Sequence, residues 1–174
     1  ITDTGSTDHT VEIAKKYTDK VFCHKWNDDF AAMRNISIKY CSGEWILILD
    51  ADEVLDNPEE LIKFFESDCE KLNCAVIKFL NYTDEKNEKY IVSGMCRLFK
   101  NLPDFCYNGK VHEQPSLIKP LGNTKITIRH YGYVSTDYEL MNYKYKRNID
   151  LLLKDLENGA EQTYTYYQLA QSYN

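Results

Sequence analysis

The segment Trp45-Ile46-Leu47-Ile48-Leu49-Asp50-Ala51-Asp52-Glu53 joins a continuous apolar run to a cluster of carboxylates. The run predicts a strand over residues 45–49 that is buried on both faces of an α/β sheet. Because alternate side chains of an extended chain lie on one side, Asp50 and Asp52 are expected to face the same way. Two carboxylates about 5 Å apart repel each other by about 3 kcal/mol at an effective dielectric of about 20. A divalent cation with oxygen ligands would remove that repulsion, so the segment predicts a metal site.

An Asp-x-Asp taken alone is usually a solvated acidic loop. The apolar strand before it favours the metal site, because open α/β sheets bind ligands at the carboxyl ends of their strands. Mg²⁺ bound by carboxylates usually keeps coordination positions for the phosphates of a substrate. The segment therefore directs attention to a substrate that carries phosphate.

The composition fits one hydrophobic core and excludes two classes of partner. The chain has 174 residues, of which 43% are hydrophobic, and its net charge of −6 gives a pI of about 5.2. No basic face is evident, which argues against nucleic acid as a partner. No apolar run reaches 18 residues, so no integral membrane segment is predicted. The 14 tyrosines suit contacts with carbohydrate or protein, although most tyrosines are half-buried packing residues.

The cysteines and the chain ends bear on where the protein works. None of the six cysteines forms a C-x-x-C pair, and several, such as Cys41 and Cys69, stand in apolar stretches. We interpret them as buried free thiols of a reducing compartment. This predicts a cytoplasmic location, with peripheral contact at the inner membrane face as a further option. The sequence begins with Ile1 rather than with a methionine, and Asn174 stands in a helical pattern. We therefore expect this chain to be a piece of a longer protein.

Periodicity and end signals predict an α/β first part, a β-rich middle and a helical tail. Helices are predicted over 10–17, 30–40, from 58 onward, from 136 to 157 and over 162–173; strands are predicted over 20–24, 45–49, 75–82, 90–99 and 125–131. The predicted helix caps are Ser6, Thr7 or Asp8, then Asp28 or Asp29, then Asn57, and a Thr136–Glu139 capping box. The predicted apolar stripe of the third helix is Leu61, Ile62, Phe65, Cys69 and Leu72.

Three motifs in order resemble a known family. Residues 1–10 are similar to the D-x-G-S-x-D-x-T signature of family 2 glycosyltransferases, and residues 28–35 resemble the D-F-A-x-x-R-N segment of a bacterial branch. Residues 50–53 stand at the place of its D-x-D. The chain is identified as a member of that family, which implies a GT-A fold (Rossmann-like, nucleotide-diphospho-sugar binding) and a nucleotide-sugar donor.

Further matches extend the resemblance and divide the chain. Residues 109–113 match the G-x-[IV]-H-E of the branch, and residues 130–133 match its H-x-G-Y. Residues 166–173 resemble the first helix of a tetratricopeptide repeat. The resemblance implies a GT-A domain over 1–135 that lacks its first β-α unit, followed by a helical extension over 136–174. Because that unit normally helps to hold the nucleotide, we expect this piece to bind donor poorly or to be inactive.

The resemblance implies roles in donor binding. Asp50 and Asp52 would hold Mg²⁺ or Mn²⁺ against the diphosphate, with Asp52 the direct ligand and Asp50 at ribose or a metal-bound water. Asp3 would contact the nucleoside; its alternative is a turn-stabilising aspartate beside Gly5. Arg34 is suited to a phosphate or to the carboxylates, or to an ordinary ion pair with Asp28 or Asp29.

Sugar transfer with inversion needs a carboxylate that takes the acceptor proton. Glu113, in the matched H-E, is the candidate base, and Asp104 is the alternative. His130 and His112 are candidates for a further metal contact or a diphosphate hydrogen bond, or are core histidines.

The predicted function is an inverting, metal-dependent transfer of sugar from a UDP-sugar to a saccharide, lipid-linked or protein acceptor. A nucleotidyltransferase is a second possibility, since it also gathers carboxylates at strand ends around a nucleotide. The third is a non-catalytic scaffold with a degenerate transferase domain, whose helical tail binds a protein partner. Metal-dependent nucleotide binding separates the enzymes from the scaffold.

Overall fold

The computed structural model describes residues 1–67, 69–132, 134, 138–159 and 162–173. The strands are β1 (Thr2–Asp3), β2 (Phe22–Cys23), β3 (Trp45–Leu47), β4 (Glu53–Leu55), β5 (Cys74–Tyr82), β6 (Tyr90–Lys100), β7 (Tyr107–Asn108), β8 (Gln114–Pro115) and β9 (Leu121–His130). The helices are α1 (Thr10–Lys15), α2 (Phe30–Lys39), α3 (Pro58–Ser67), α4 (Tyr138–Glu157) and α5 (Gln162–Ser172), with a 3-10 turn at Cys69–Lys71. This content confirms the α/β class.

The chain forms two compact units. Unit 1 contains Ile1–Cys41, Cys106–Ser116 and Asn142–Asn174, and unit 2 contains Ser42–Phe105 and Leu117–Met141. Each unit is therefore assembled from separate stretches of the sequence.

Unit 1 joins a parallel β1–β2 pair and a short β7–β8 pair to helices. Helix α2 begins as predicted at Asp29, whose Oδ1 accepts the Ala32 N–H at 2.7 Å. Helix α4 ends at the predicted Asn158-Gly159, where Gly159 has a φ of +80° that favours glycine. Its apolar core is the cluster of Val111, Leu151, Leu152 and Leu169.

Unit 2 is a five-stranded sheet in the order β3-β6-β5-β9-β4. β5 and β6 form the predicted hairpin, closed by a bond from Thr83 N to Lys89 O at 3.0 Å. β9 is parallel to β5 and antiparallel to β4, so the sheet is mixed. The core residues are Phe64, Ala75, Ile77, Phe79, Leu98, Ile126 and Ile128.

The prediction for residues 45–49 is partly wrong. β3 ends at Leu47, and Leu49 is 45% exposed, whereas Ile46 and Ile48 are buried. β3 is an edge strand that pairs with β6 alone, and its Trp45 and Leu47 are half-buried side chains packed against the core.

The third predicted helix begins at Pro58 as predicted, but its apolar stripe and its cap differ. Phe64 is buried with Leu61 packed beside the core, whereas Ile62 and Phe65 are exposed. Asn57 does not cap the helix with its side chain: its Nδ2 donates to Lys125 O at 3.0 Å and its Oδ1 accepts the Thr127 N–H at 2.7 Å. A bond to a distant strand replaces the local cap.

Other end predictions have mixed outcomes. The N-cap of α1 is His9, without a side-chain bond, and the helix ends at Lys15 rather than at residue 17. The predicted strand over 20–24 is reduced to β2. Thr136 of the predicted capping box and Tyr133 of the H-x-G-Y match lie outside the described residues, as does the 135/136 boundary.

All six cysteines are free, as predicted. Cys41 is exposed and Cys69 is half-buried, so the prediction that these two are buried is wrong; Cys74 is buried. Among the described residues, no helix combines the length and apolar character needed to cross a membrane.

Candidate active site

Asp52 and His130 meet at one end of the unit 2 sheet. The β4–β9 register sets Glu53 opposite His130, and the Tyr131 N–H donates to Asp52 O at 2.9 Å. Asp52 Oδ2 then lies 3.8 Å from His130 Nε2. The histidine lowers the pKa of Asp52 by hydrogen bonding, against the opposing effect of partial burial. Two of the predicted donor-site residues are thus brought together.

Asn81 orients the His130 ring. The Asn81 Nδ2 donates to Ile91 O at 3.1 Å and to Ser93 Oγ at 3.0 Å, which assigns the amide. Its Oδ1 lies 3.0 Å from His130 Nδ1 and can only accept, so Nδ1 carries a proton. The imidazolium form can then donate from Nε2 towards Asp52, whereas the neutral ring presents the Nε2 lone pair to it. This is the arrangement of a metal-binding histidine with its outer hydrogen-bond partner.

Gly132 leaves the space between the two side chains. A Cβ at this position would meet Asp52 Oδ2 and would lie 2.6 Å from His130 Nε2. Two ligands each about 2.1 Å from a shared ion are ~3 to ~4.2 Å apart, and the observed 3.8 Å falls in that range. One ligand atom from each of Asp52, Glu53 and His130 lies within 4.8 Å of the others. The residues therefore fit a divalent cation.

Asp50 has a different neighbour from Asp52. The chain at 50–53 is a turn, closed by a bond from Glu53 N to Asp50 O at 3.0 Å, and is not extended as predicted. Asp50 Oδ2 accepts bonds from both terminal nitrogens of Arg97 at 3.2 Å. The Arg97 guanidinium therefore compensates the charge of Asp50, which was expected to repel Asp52. The group of possible metal ligands contains Asp52 but not Asp50.

Glu53 supports the turn from inside. Its Oε1 accepts from Arg97 at 2.9 Å and its Oε2 accepts the Asp50 N–H at 2.8 Å. Its side chain is 1% exposed. Burial raises the pKa of Glu53, and the Arg97 cation opposes that rise.

Arg97 and Asn81 were missed by the sequence reasoning. Arg97 is a lone cation in the apolar stretch 95–99, which was the available signal for a buried ion pair. Asn81 lies near the end of a strand that is mostly apolar apart from Lys78, and nothing in its neighbourhood points to a histidine 49 residues away.

In unit 1, Asp3 closes a turn. Its Oδ2 accepts the Gly5 and Ser6 N–H groups at 2.9 and 3.1 Å, and its Oδ1 accepts the Ser6 hydroxyl. The Ser6 hydroxyl is the main cause of the lowered pKa of Asp3. Gly5 has a φ of +114°, which this turn requires. These contacts are those of the turn-stabilising alternative, and nucleoside binding stays a prediction.

Arg34 pairs with Glu113, which neither alternative for Arg34 anticipated. Arg34 Nε contacts Glu113 Oε1, and the guanidinium carbon lies 5.5 Å from the centre of the Tyr107 ring. The side chains of Arg34 and Glu113 are 19% and 11% exposed. Asp29 caps the helix and Asp28 accepts from Trp26 Nε1 at 2.9 Å. A donor-site candidate and the candidate base thus form one ion pair.

The residue before Glu113 has an unusual backbone. His112 has a φ of +52°, which is uncommon for a residue with a Cβ. Its Nε2 is buried and has no hydrogen-bond partner among the described residues. Burial lowers the pKa of His112, against the opposing charge of Glu113, so the ring is neutral at physiological pH. Such local strain concentrates at functional sites. Asp104, the alternative base, is an exposed residue of a turn after β6 in unit 2.

The family model for glycosyl transferase family 2 matches residues 1–149. The chain belongs to glycosyl transferase family 2. A TPR repeat-containing protein of Synechococcus elongatus is 37% identical over 146 residues, covering 76% of this chain and 35% of that protein. The glycosyltransferase SunS of Bacillus subtilis is 28% identical over 165 residues, covering 87% and 37%. This family 2 chain thus spans about a third of the length of these curated relatives.

Solved structures agree with the fold. Crystal structures of S. aureus TarS, alone and in complex with UDP, each match with a TM-score of 0.52 at 14% and 15% identity. Both alignments cover 99% of this chain and 60% of the crystallised TarS chain, which is residues 1–349 of that protein. The TarS complex with UDP-GlcNAc matches with a TM-score of 0.50 at 16% identity. The likeness confirms the predicted GT-A fold, while the individual motif roles and the tetratricopeptide-like tail stay predictions.

Proposed function

We propose that this family 2 protein transfers a sugar from a UDP-sugar to an acceptor with inversion, and that it depends on Mn²⁺ or Mg²⁺. The observation that carries the proposal is the pair of Asp52 and His130, with Asn81 behind the ring and Gly132 beside both side chains. TarS, which shares the fold, has been crystallised with UDP and with UDP-GlcNAc, and this supports the choice of nucleotide.

In this proposal Asp52 and His130 are the metal ligands. Glu53 is left as a supporting residue, because both of its oxygens already accept hydrogen bonds inside the protein. The bound ion would stabilise the charge of the departing diphosphate. An imidazole ligand suits a transition ion better than Mg²⁺, which prefers oxygen, so Mn²⁺ is the favoured ion.

Glu113 is the proposed base, with Asp104 as the alternative. The acceptor hydroxyl forms its bond to the anomeric carbon as the carbon–oxygen bond to the diphosphate breaks, and the bonding pair leaves with the diphosphate. The hydroxyl proton passes to the Glu113 carboxylate. The Arg34 guanidinium orients that carboxylate. Asp3 and Asp50 remain proposed contacts of the nucleoside and ribose.

The remaining parts of the proposal concern the acceptor and the chain. A saccharide, a lipid-linked glycan and a protein all stay open as acceptor. The division into a transferase domain over 1–135 and a helical extension over 136–174, and the cytoplasmic location, are kept as predictions. Family membership favours glycosyl over nucleotidyl transfer. A scaffold with an inactive domain is the competing function.

Calorimetric titration with UDP tests the donor site. UDP is titrated in Mn²⁺, in Mg²⁺ and in EDTA into the chain extended at its N-terminus by the first β-α unit of the fold, as wild type, Asp52→Ala, His130→Ala and the control Asp19→Ala. All turnover measurements use the same extended protein. Asp19 is an exposed aspartate in the β1–β2 connection. We expect UDP binding that needs the ion, is strongest with Mn²⁺, is lost in both site variants and is kept in the control.

Release of UDP from UDP-GlcNAc and UDP-glucose, with water as acceptor, tests turnover in the same samples. The metal assignment would be contradicted if UDP bound wild type in EDTA, and bound Asp52→Ala in Mn²⁺, as tightly as it binds wild type in Mn²⁺. The absence of both metal-dependent UDP binding and UDP release would favour the scaffold.

A further inference from the structure

The loop that carries the candidate base is anchored by the helical tail. The H-E loop, residues 109–114, lies in unit 1 with helix α5 and with α4 from Asn142 onward. The sequence assigned these helices to an extension separate from the transferase domain. The contacts between the H-E loop and these two helices indicate that the helices shape the loop directly.

Helix α4 holds the start of the loop. Asp155, which is 9% exposed, accepts the Lys110 N–H on its Oδ2 at 2.9 Å, and its Oδ1 lies 3.8 Å from Lys110 Nζ. A buried carboxylate needs such partners, so this contact fixes the aspartate and the loop together. Val111, 6% exposed, then packs into the apolar cluster with side chains of both helices.

Helix α5 holds the two residues that flank Glu113. The Tyr164 hydroxyl donates to His112 O at 3.0 Å and accepts from Gln114 Nε2 at 2.6 Å. Gln114 Nε2 also donates to His112 O at 3.0 Å. These three groups form a closed triangle, and its donors and acceptors balance because the hydroxyl gives one bond and takes one.

The hydrogen bonds of the triangle hold His112, whose backbone is strained. His112 has its φ of +52°, and its carbonyl receives two of the three bonds. A conformation of this kind persists only where its surroundings enforce it. Glu113 lies between the two residues bonded to Tyr164, and its carboxylate is fixed from the other side by Arg34.

We propose that Tyr164 of α5 is a positioning residue for Glu113: its hydroxyl holds His112 and Gln114 in the shape that aims the base. This inference rests on the proposed function. Tyr164 acts through the loop and touches no substrate. The helical tail is then part of the catalytic apparatus, and not only a platform for protein contacts.

Tyr164→Phe removes the hydroxyl and keeps the ring. Steady-state release of UDP from UDP-GlcNAc and UDP-glucose is compared for wild type, Tyr164→Phe, Glu113→Gln and the double variant. The control is Tyr166→Phe, which changes a tyrosine of the same helix that is 57% exposed. We expect Tyr164→Phe to lower kcat by about 10- to 100-fold, because small misplacements of catalytic groups have effects of that size. KM for the donor should be unchanged.

The double variant separates positioning from general damage. If Tyr164 acts through Glu113, adding Tyr164→Phe to Glu113→Gln lowers kcat no further. A wild-type kcat in Tyr164→Phe, or an additive loss in the double variant, overturns the inference. A wild-type kcat in Glu113→Gln removes the base assignment and overturns the inference with it, while the UDP titration still stands.

Hydrogen exchange provides a readout independent of turnover. Amides of residues 109–116 should exchange faster in Tyr164→Phe than in wild type and the control, while those of β5 and β6 are unchanged. If wild type releases no UDP, the proposed function fails, and the exchange comparison alone decides whether Tyr164 holds the loop. Equal exchange in all three proteins overturns the inference.

Discussion

Replacing Arg97 by methionine tests whether the buried ion network holds the turn at 50–53. Arg97 is 7% exposed, and its guanidinium contacts Asp50 and Glu53 and lies 5.4 Å from the centre of the Phe79 ring. Methionine fills much of the same volume without charge. Glu53, whose side chain is 1% exposed, would then keep only its bond from Asp50 N.

The expected loss follows from that burial. Breaking a buried ion pair by removing one partner costs about 3 to 5 kcal/mol, because a charge stays buried without compensation. For a protein of this size a loss of that magnitude lowers Tm by about 6 to 20 °C. Arg129→Met is the matched control. Arg129 also pairs with a carboxylate, that of Asp56, but its side chain is 44% exposed, so we expect a much smaller loss of stability than in Arg97→Met.

The pH dependence gives the sign of the effect. Burial raises the pKa of Glu53, and the loss of Arg97 removes the cation that opposes the rise. A carboxyl with a raised pKa in the folded state favours folding only when it is protonated. The deficit of Arg97→Met should therefore be largest at neutral pH. It should shrink as pH falls through the folded-state pKa of Glu53 towards 4.5, the ordinary value for glutamate.

Urea unfolding at several pH values measures both quantities, and Arg97→Met/Glu53→Gln should recover part of the neutral-pH loss. A deficit below about 1 kcal/mol at neutral pH, or one that is the same at every pH, would refute the reasoning.

Three further predictions concern the metal pair. Gly132→Ala should weaken Mn²⁺ binding at least about tenfold, because the new Cβ displaces the Asp52 and His130 side chains, with little change in Tm. The control Gly43→Ala, whose Cβ would lie 3.4 Å from its nearest neighbour, should change neither Mn²⁺ affinity nor Tm. Mn²⁺ titration and thermal melts measure both quantities, and an unchanged Mn²⁺ affinity in Gly132→Ala counts against the site. Asn81→Ala should weaken Mn²⁺ binding by about 10- to 100-fold, because the His130 ring loses its partner; an affinity equal to that of wild type would exclude this role. Mn²⁺ with UDP at 100 times its Kd should stabilise wild type by about 2.7 kcal/mol in urea unfolding and leave Asp52→Ala unaffected; equal stabilisation of both would place the ligand elsewhere.

The sequence predicted local structure well where the signals were local. The hairpin at 83–89, the cap by Asp29 and the helix end at Gly159 each depend on residues a few positions apart. The turn at 50–53 was misread as extended, because the bond from Glu53 N to Asp50 O leaves no trace in the apolar pattern.

The details of the site depended on partners distant in the chain. Arg34 was expected to pair locally with Asp28 or Asp29, and its partner Glu113 is 79 positions away. The Asn57 side chain likewise does not cap α3 but bonds to Thr127 of β9, 70 positions away. Periodicity and cap rules carry no information on such pairs, so the resemblance named residues of the site while their contacts needed the fold.

The division of unit 1 into three stretches has a consequence for synthesis on the ribosome. Residues 106–116, which include the H-E loop, are translated before α4 and α5. The loop is therefore synthesised before the helices that anchor it. At about 5 to 20 residues per second, the 50 positions from Gln114 to Tyr164 take roughly 3 to 10 seconds. His130 is translated within that interval, so the chain holds both residues of the proposed metal pair, Asp52 and His130, before Tyr164 is made. Under the proposed function, the residues assigned to the metal are therefore complete in the chain before the loop that carries the proposed base gains its anchor.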